Sequence, residues 1–294
     1  MTEITLALGG GGVRGAAHLG VLRVLEREGF RIRAVAGTSA GAILGAFYAA
    51  GLSAFQIEEI MANLDQSRLY GWPLSEGPAL LGVRGIADLL KNHLGEPEFH
   101  ALKLPFAVVA VDLNSNREII LQDGGVIEAV LGSMAVPGLF PPREIHPYRL
   151  IDGGVLDPVP VRAARALAPG LPVVAVSLMA PLDAPSTPPS IPLAVPRPIL
   201  EQITRLHVTQ AFQIFADALD IGQRQMTELR LQLDQPEILI RPEVNDLNLL
   251  DRINVAEVAL RGERAALAVL PELRRAVSLP AQFSRHWRRL INGS

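Results

Sequence analysis

Gly37-Thr38-Ser39-Ala40-Gly41 is a GxSxG, the clearest place in this chain for a side chain to do chemistry. A nucleophilic serine must project from a sharp strand-to-helix turn, where bulky residues two places before and after it would strike the neighbouring strand or helix. Gly37 and Gly41 hold those places, so Ser39 is the candidate nucleophile. Upstream lies a glycine loop, Gly9-Gly10-Gly11-Gly12-Val13-Arg14-Gly15, in which Gly10, Gly12 and Gly15 satisfy GxGxxG. A dinucleotide site would need an acid about 20 residues on, where the chain has Ala36 and Gly37. A triphosphate loop would need a lysine after its last glycine, where Ala16 stands. What remains is a run of backbone N–H groups at a helix N-terminus, suited to developing negative charge and, beside Ser39, to an oxyanion hole. Arg14 is either a positive charge for an anionic head group or one half of a structural ion pair.

A third pattern, Asp152-Gly153-Gly154, follows Leu150-Ile151 and by itself would be a turn. A serine hydrolase needs a base, yet none of the histidines at 18, 93, 100, 146, 207 and 286 stands in a catalytic motif. The elements that must carry these motifs are legible from periodicity. Ile4 to Leu8 reads as a strand entering the glycine loop, and Ala16 to Glu28 as a helix closed by Gly29. The unit repeats with a strand over Ile32 to Ala36 and a helix over Ala42 to Ala50. Strands are expected over 106–111, 173–178 and 238–240, and helices over 126–131, 162–167, 199–233 and 255–270. Strand and helix in alternation predict an α/β domain around a largely parallel sheet.

Composition bounds the remaining possibilities. The chain has 294 residues, 49% hydrophobic and 19% charged, and no cysteine, so it holds a large core and no disulfide, thiolate metal site or cysteine nucleophile. A net charge of −3 argues against nucleic-acid binding. No HExxH, acidic calcium loop or close His/carboxylate cluster is present, so no metal or other cofactor is expected. The sequence turns strand-like at Ile4 without a basic leader and apolar run, which predicts a cytoplasmic chain.

Taken together, Gly10 to Gly15, Gly37 to Gly41 and Asp152-Gly153-Gly154 resemble the motifs of the patatin-like phospholipases, especially their bacterial single-domain members. Ser133-Met134-Ala135-Val136-Pro137-Gly138-Leu139-Phe140-Pro141-Pro142 is similar to the segment those proteins carry before their Asp-Gly-Gly. The likeness is strong over residues 4–165 and weak to about 270. It implies a three-layer α/β/α sandwich around a mostly parallel sheet and hydrolysis of lipid acyl esters by a serine–aspartate dyad without histidine. By position, Ser39 would be the nucleophile and Asp152 the base. Gly10, Gly11, Gly12, Val13 and Arg14 would form the oxyanion hole, with Gly15, Gly37, Gly41, Gly153 and Gly154 supporting the motifs. Asp157-Pro158 departs from the asparagines that many relatives carry there. A related acyltransferase would pair a histidine with its serine and place one where Thr38 stands. A silent membrane adaptor would keep the fold alone.

Two regions lie outside the motifs. Seven prolines between Pro181 and Pro198 predict a long loop inside a domain spanning 1–275. Residues 276–294 form a basic tail in which Phe283, Trp287, Leu290 and Ile291 share one helical face, while Arg285, Arg288 and Arg289 point away. Such a tail suits peripheral contact with the inner face of a membrane. The long helix after the prolines, with Ile203, Leu206, Phe212, Phe215 and Leu219 among its apolar positions, could pack on the core, cover an acyl pocket or form a homodimer face.

Overall fold

The computed structural model describes residues 2–66, 69, 81–184 and 208–278. Most of the proline-rich segment and the tail from 279 onward, including Phe283, Arg285, Trp287, Arg288 and Arg289, lie outside the described residues.

One eight-stranded sheet organises the chain, in the order β5-β6-β3-β2-β1-β7-β8, with β4 also paired to β3. Strands β1 (Thr2–Leu8), β2 (Phe30–Thr38), β3 (Phe106–Asp112), β7 (Val173–Val176) and β8 (Ile238–Ile240) run parallel to one another. β4 (Arg117–Leu121), β5 (Arg143–Ile145) and β6 (Tyr148–Asp152) pair antiparallel at one side. The sheet is therefore mixed but mostly parallel, with helices on both faces.

Side-chain alternation makes the two faces unequal. Leu6, Leu8, Val35, Val108, Val174 and Val176 point into the larger core. They meet α1 (Ala17–Arg27), α2 (Ala40–Ala49), α3 (Ala54–Ala62), α4 (Arg84–Leu94), α5 (Val126–Ser133) and α8 (Val255–Ala276). On the other face stand Ala7, Ala36, Ala107, Val109, Val173 and Ala175. These small side chains let α6 (Val161–Leu167) lie close to the sheet, with Leu231 of α7 (Val208–Asp234) completing the layer.

Local signals explain most boundaries. Ser53 caps α3 through a reciprocal capping box with Gln56, and Asn254 caps α8 by accepting from the N–H groups of Ala256 and Glu257. Helix α8 continues past Pro271 to Ala276, beyond the end expected near Leu270, because Leu273 and Val277 are buried against the core and tertiary packing outweighs the lost helix bond. It packs along α1, where Glu263 pairs with both Arg23 and Arg27. Among the described residues, no helix is long and apolar enough to cross a membrane.

Candidate active site

Strand β3 brings the serine and the aspartate together. Its edge opposite β4 is shared end to end by two strands of opposite direction: β2 ends with Thr38 beside Val109, and β6 ends with Asp152 beside the next residue, Ala110. The residues that leave the two strand ends therefore meet head-on, although 113 positions separate them in sequence. In a parallel sheet this carboxyl end of the strands is where ligands bind.

At that junction the chain turns sharply into α2. Ser39 has φ 53° and ψ −119°, a strained conformation for a residue with a side chain, and it is 7% exposed. A Cβ on Gly41 would lie 2.0 Å from the Leu8 carbonyl oxygen, and one on Gly37 2.5 Å from that of Gly41, so the turn tolerates neither. Two hydroxyls to which the motifs alone assign no role hold it in place. Ser133, fully buried at the end of α5, accepts from the Ser39 N–H at 2.9 Å and donates to the Val109 carbonyl at 2.6 Å. Thr38 donates to the Asp157 carbonyl at 3.0 Å.

Asp152 is buried and accepts from the Gly154 N–H at 2.7 Å, and the Ser39 hydroxyl stands near enough to favour its charge. Burial raises its pKa from the ordinary aspartate value to about 6, against the Ser39 hydroxyl and the Gly154 N–H, which favour the charged form. The carboxylate thus keeps basicity that an exposed aspartate lacks.

The glycine loop packs directly on this pair, since a Cβ on Gly10 would stand 3.1 Å from the Ser39 Cβ, and one on Gly15 2.8 Å from the Ala40 Cβ. Gly12 has φ 58° and lies so close to the Leu249 carbonyl oxygen that a Cβ would come within 2.2 Å of it. Hydrogen-bond accounting narrows the donors expected here. Gly10 N–H donates to the Pro158 carbonyl, Val13 N–H to that of Leu249 and Arg14 N–H to that of Gly11, so these three are already engaged. Gly11 and Gly12 N–H have no such acceptor among the described residues. The Arg14 side chain gives Nε to the Leu247 carbonyl at 2.8 Å in a half-buried setting near Asp220, Asp251 and Asp246. Those carboxylates favour its charge, while burial moves its pKa below the ordinary arginine value.

In front of Ser39 opens a cavity of about 450 Å³, shared with Gly12 and walled largely by apolar groups including Ile43, Leu44, Met61, Met134 and Phe140. That size and polarity suit a ligand with a hydrocarbon portion. No cluster of metal-ligating side chains occurs among the described residues.

The arrangement has known counterparts. Residues 6–165, more than half of the chain, match the family described as Patatin-like phospholipase. An uncharacterised NTE family protein of Mycobacterium tuberculosis is 33% identical over 181 residues, covering 60% of this chain and 49% of the relative. A second such protein of the same organism is 30% identical over 294 residues, covering 92% and 47%. The chain thus spans about half the length of the curated relatives it matches. The crystal structure of VipD from Legionella pneumophila superposes with a TM-score of 0.53 over 92% of this chain and 67% of that one. At 14% identity that likeness concerns the fold.

Proposed function

This chain belongs to the patatin-like phospholipase family, and on that premise we propose that it hydrolyses acyl ester bonds of lipids, a phospholipid or lysophospholipid, through Ser39 and Asp152. The observation that carries the reading is the setting of Ser39: strained on its turn, beside a buried carboxylate and open to an apolar cavity.

In this mechanism the Ser39 hydroxyl gives its proton to Asp152 while Oγ attacks the ester carbonyl carbon. The carbonyl oxygen becomes an oxyanion held by the N–H groups of Gly11 and Gly12, which have no backbone acceptor among the described residues. The tetrahedral species collapses, the bond to the alcohol breaks, and protonated Asp152 returns its proton to the departing oxygen. Water then repeats the cycle on the acyl-serine and releases a fatty acid. An aspartate of ordinary pKa is a poor base for a hydroxyl, so proton transfer and attack are concerted, and burial of Asp152 narrows the mismatch. The apolar cavity takes the acyl chain with little selectivity, because each methylene contributes only about 1–3 kcal/mol to discrimination.

Incubation with phospholipid, lysophospholipid or triacylglycerol, with mass analysis of the products, tests the activity and identifies the substrate. A fluorophosphonate should label Ser39 once per chain. Absence of labelling together with absence of released fatty acid would remove the proposal. The basic tail, a membrane contact on sequence grounds alone, is tested by liposome binding of a chain ending at Val277; undiminished binding removes the tail from the account.

A further inference from the structure

His18 stands in the first turn of α1, fully buried, with Nε2 2.9 Å from the Gly9 carbonyl oxygen. A carbonyl only accepts, so Nε2 carries the hydrogen and donates. Burial pulls the ring's pKa down to about 4, which keeps it neutral and leaves Nδ1 bare, and Nδ1 has no hydrogen-bond partner among the described residues. The tautomer is therefore fixed.

The other end of the same peptide is also held. Gly10 N–H donates to the Pro158 carbonyl at 3.0 Å, on the segment that follows Asp152. One amide group between two glycines is thus clamped from below by an imidazole and from the side by the aspartate's own loop. Without the clamp, a Gly-Gly peptide turns over at little steric cost, since neither neighbour has a Cβ. A donor on its oxygen and an acceptor on its N–H also polarise the amide in the same sense, strengthening both bonds. The N–H groups of Gly11 and Gly12, without a backbone acceptor among the described residues, come next along the chain, so the plane of this peptide biases the direction in which they point.

We propose that His18 is a positioning residue for catalysis: by holding the Gly9 carbonyl it aims the Gly11 and Gly12 N–H groups at the oxyanion formed on the substrate of Ser39. The inference rests on the reading of this loop as the oxyanion hole. It takes a histidine that no catalytic motif absorbs and gives it work at a distance from the reacting atoms.

The test compares the full-length parent with His18→Leu and His18→Gln, whose carboxamide N–H can replace the Nε2 donor. The readouts are kcat and KM on a soluble short-chain ester, and affinity for an alkyl trifluoromethyl ketone, which forms a tetrahedral oxyanion on a serine. Both are normalised to folded protein by thermal melt. His18→Leu should lose about tenfold or more in kcat and in ketone affinity, with KM within about twofold, because misaimed donors weaken the transition state selectively. His18→Gln should recover most of that loss. A folded His18→Leu protein with unchanged kcat and ketone affinity would overturn the proposal and leave His18 a packing residue. Should His18→Leu not fold, His18→Gln decides: activity and ketone affinity within about threefold of the parent support the donor role, and a tenfold loss of both in folded protein opposes it. A parent that neither cleaves ester nor binds the ketone removes the oxyanion reading and this inference with it, whereas an active parent with an indifferent His18→Leu removes this inference alone.

Discussion

Asp152 and Asp157 lie on one segment, are both buried, and both have pKa values raised by that burial, to about 6 and about 7. Their partners differ. Asp152 faces a serine hydroxyl and one backbone N–H. Asp157 faces Arg230 of α7 at 3.0 Å, a guanidinium shared with Glu118 and Asp234. A hydroxyl can surrender its proton to a carboxylate during attack, whereas a guanidinium stays charged, so equal burial suits Asp152 to the proposed role of base and Asp157 to that of an anchor. The anchor still serves the site through its backbone, because the carbonyls of Asp157 and Pro158 accept from Thr38 and Gly10 and so tie the serine turn to the glycine loop.

Substitutions can break this contrast or sharpen it. Ser39→Ala removes the attacking atom and should lower kcat/KM by about 10⁴-fold or more, measured as fatty-acid release. Asp152→Asn keeps the shape and loses the base, with an expected fall of about 10³-fold in kcat in a protein that still folds. Arg230→Met leaves Asp157 and Asp234 without the cation they share and Glu118 with only the longer contact to Arg162, and should cost about 3 kcal/mol of stability in urea unfolding. Asp157→Asn should change kcat by less than about threefold. Its effect lies in pH dependence: a carboxyl whose folded pKa is raised binds its proton more tightly in the folded state, so its stabilising contribution is full below about pH 4 and lost as pH rises through about 7. Relative to the parent, the melting temperature of Asp157→Asn should therefore climb between those limits.

Much of this contrast was legible in the sequence, and what escaped it did so for physical reasons. The glycines around Ser39 announced the turn, because their spacing answers a steric demand within one short segment. The β1–α1 and β2–α2 units showed their periodicity for the same reason. Strand β4 is a short edge strand with Arg117 and Glu118 at its start, and β5 has three residues, so neither builds a pattern strong enough to stand out. Helix α3 did carry a readable start in Ser53 and Gln56. The contribution of Ser133 was out of reach, since a hydroxyl that bridges α5, β3 and the serine turn depends on contacts across 94 residues. So was the division of labour in the glycine loop: which N–H groups are spent depends on carbonyls at Pro158 and Leu249, far along the chain. Asp157 showed only as a departure from a family pattern until Arg230 was placed beside it.

The most direct test is the dependence of kcat/KM on pH in the Asp157→Asn protein, where Asp152 is the buried carboxylate left with a raised pKa on this segment. A group that must be ionised to act as base gives activity that rises with pH through its own pKa. The account predicts an acidic limb near pH 6, unchanged from the parent. A limb that vanishes or moves with the Asp157 substitution, or activity that stays level down to pH 4.5, would contradict Asp152 as the base.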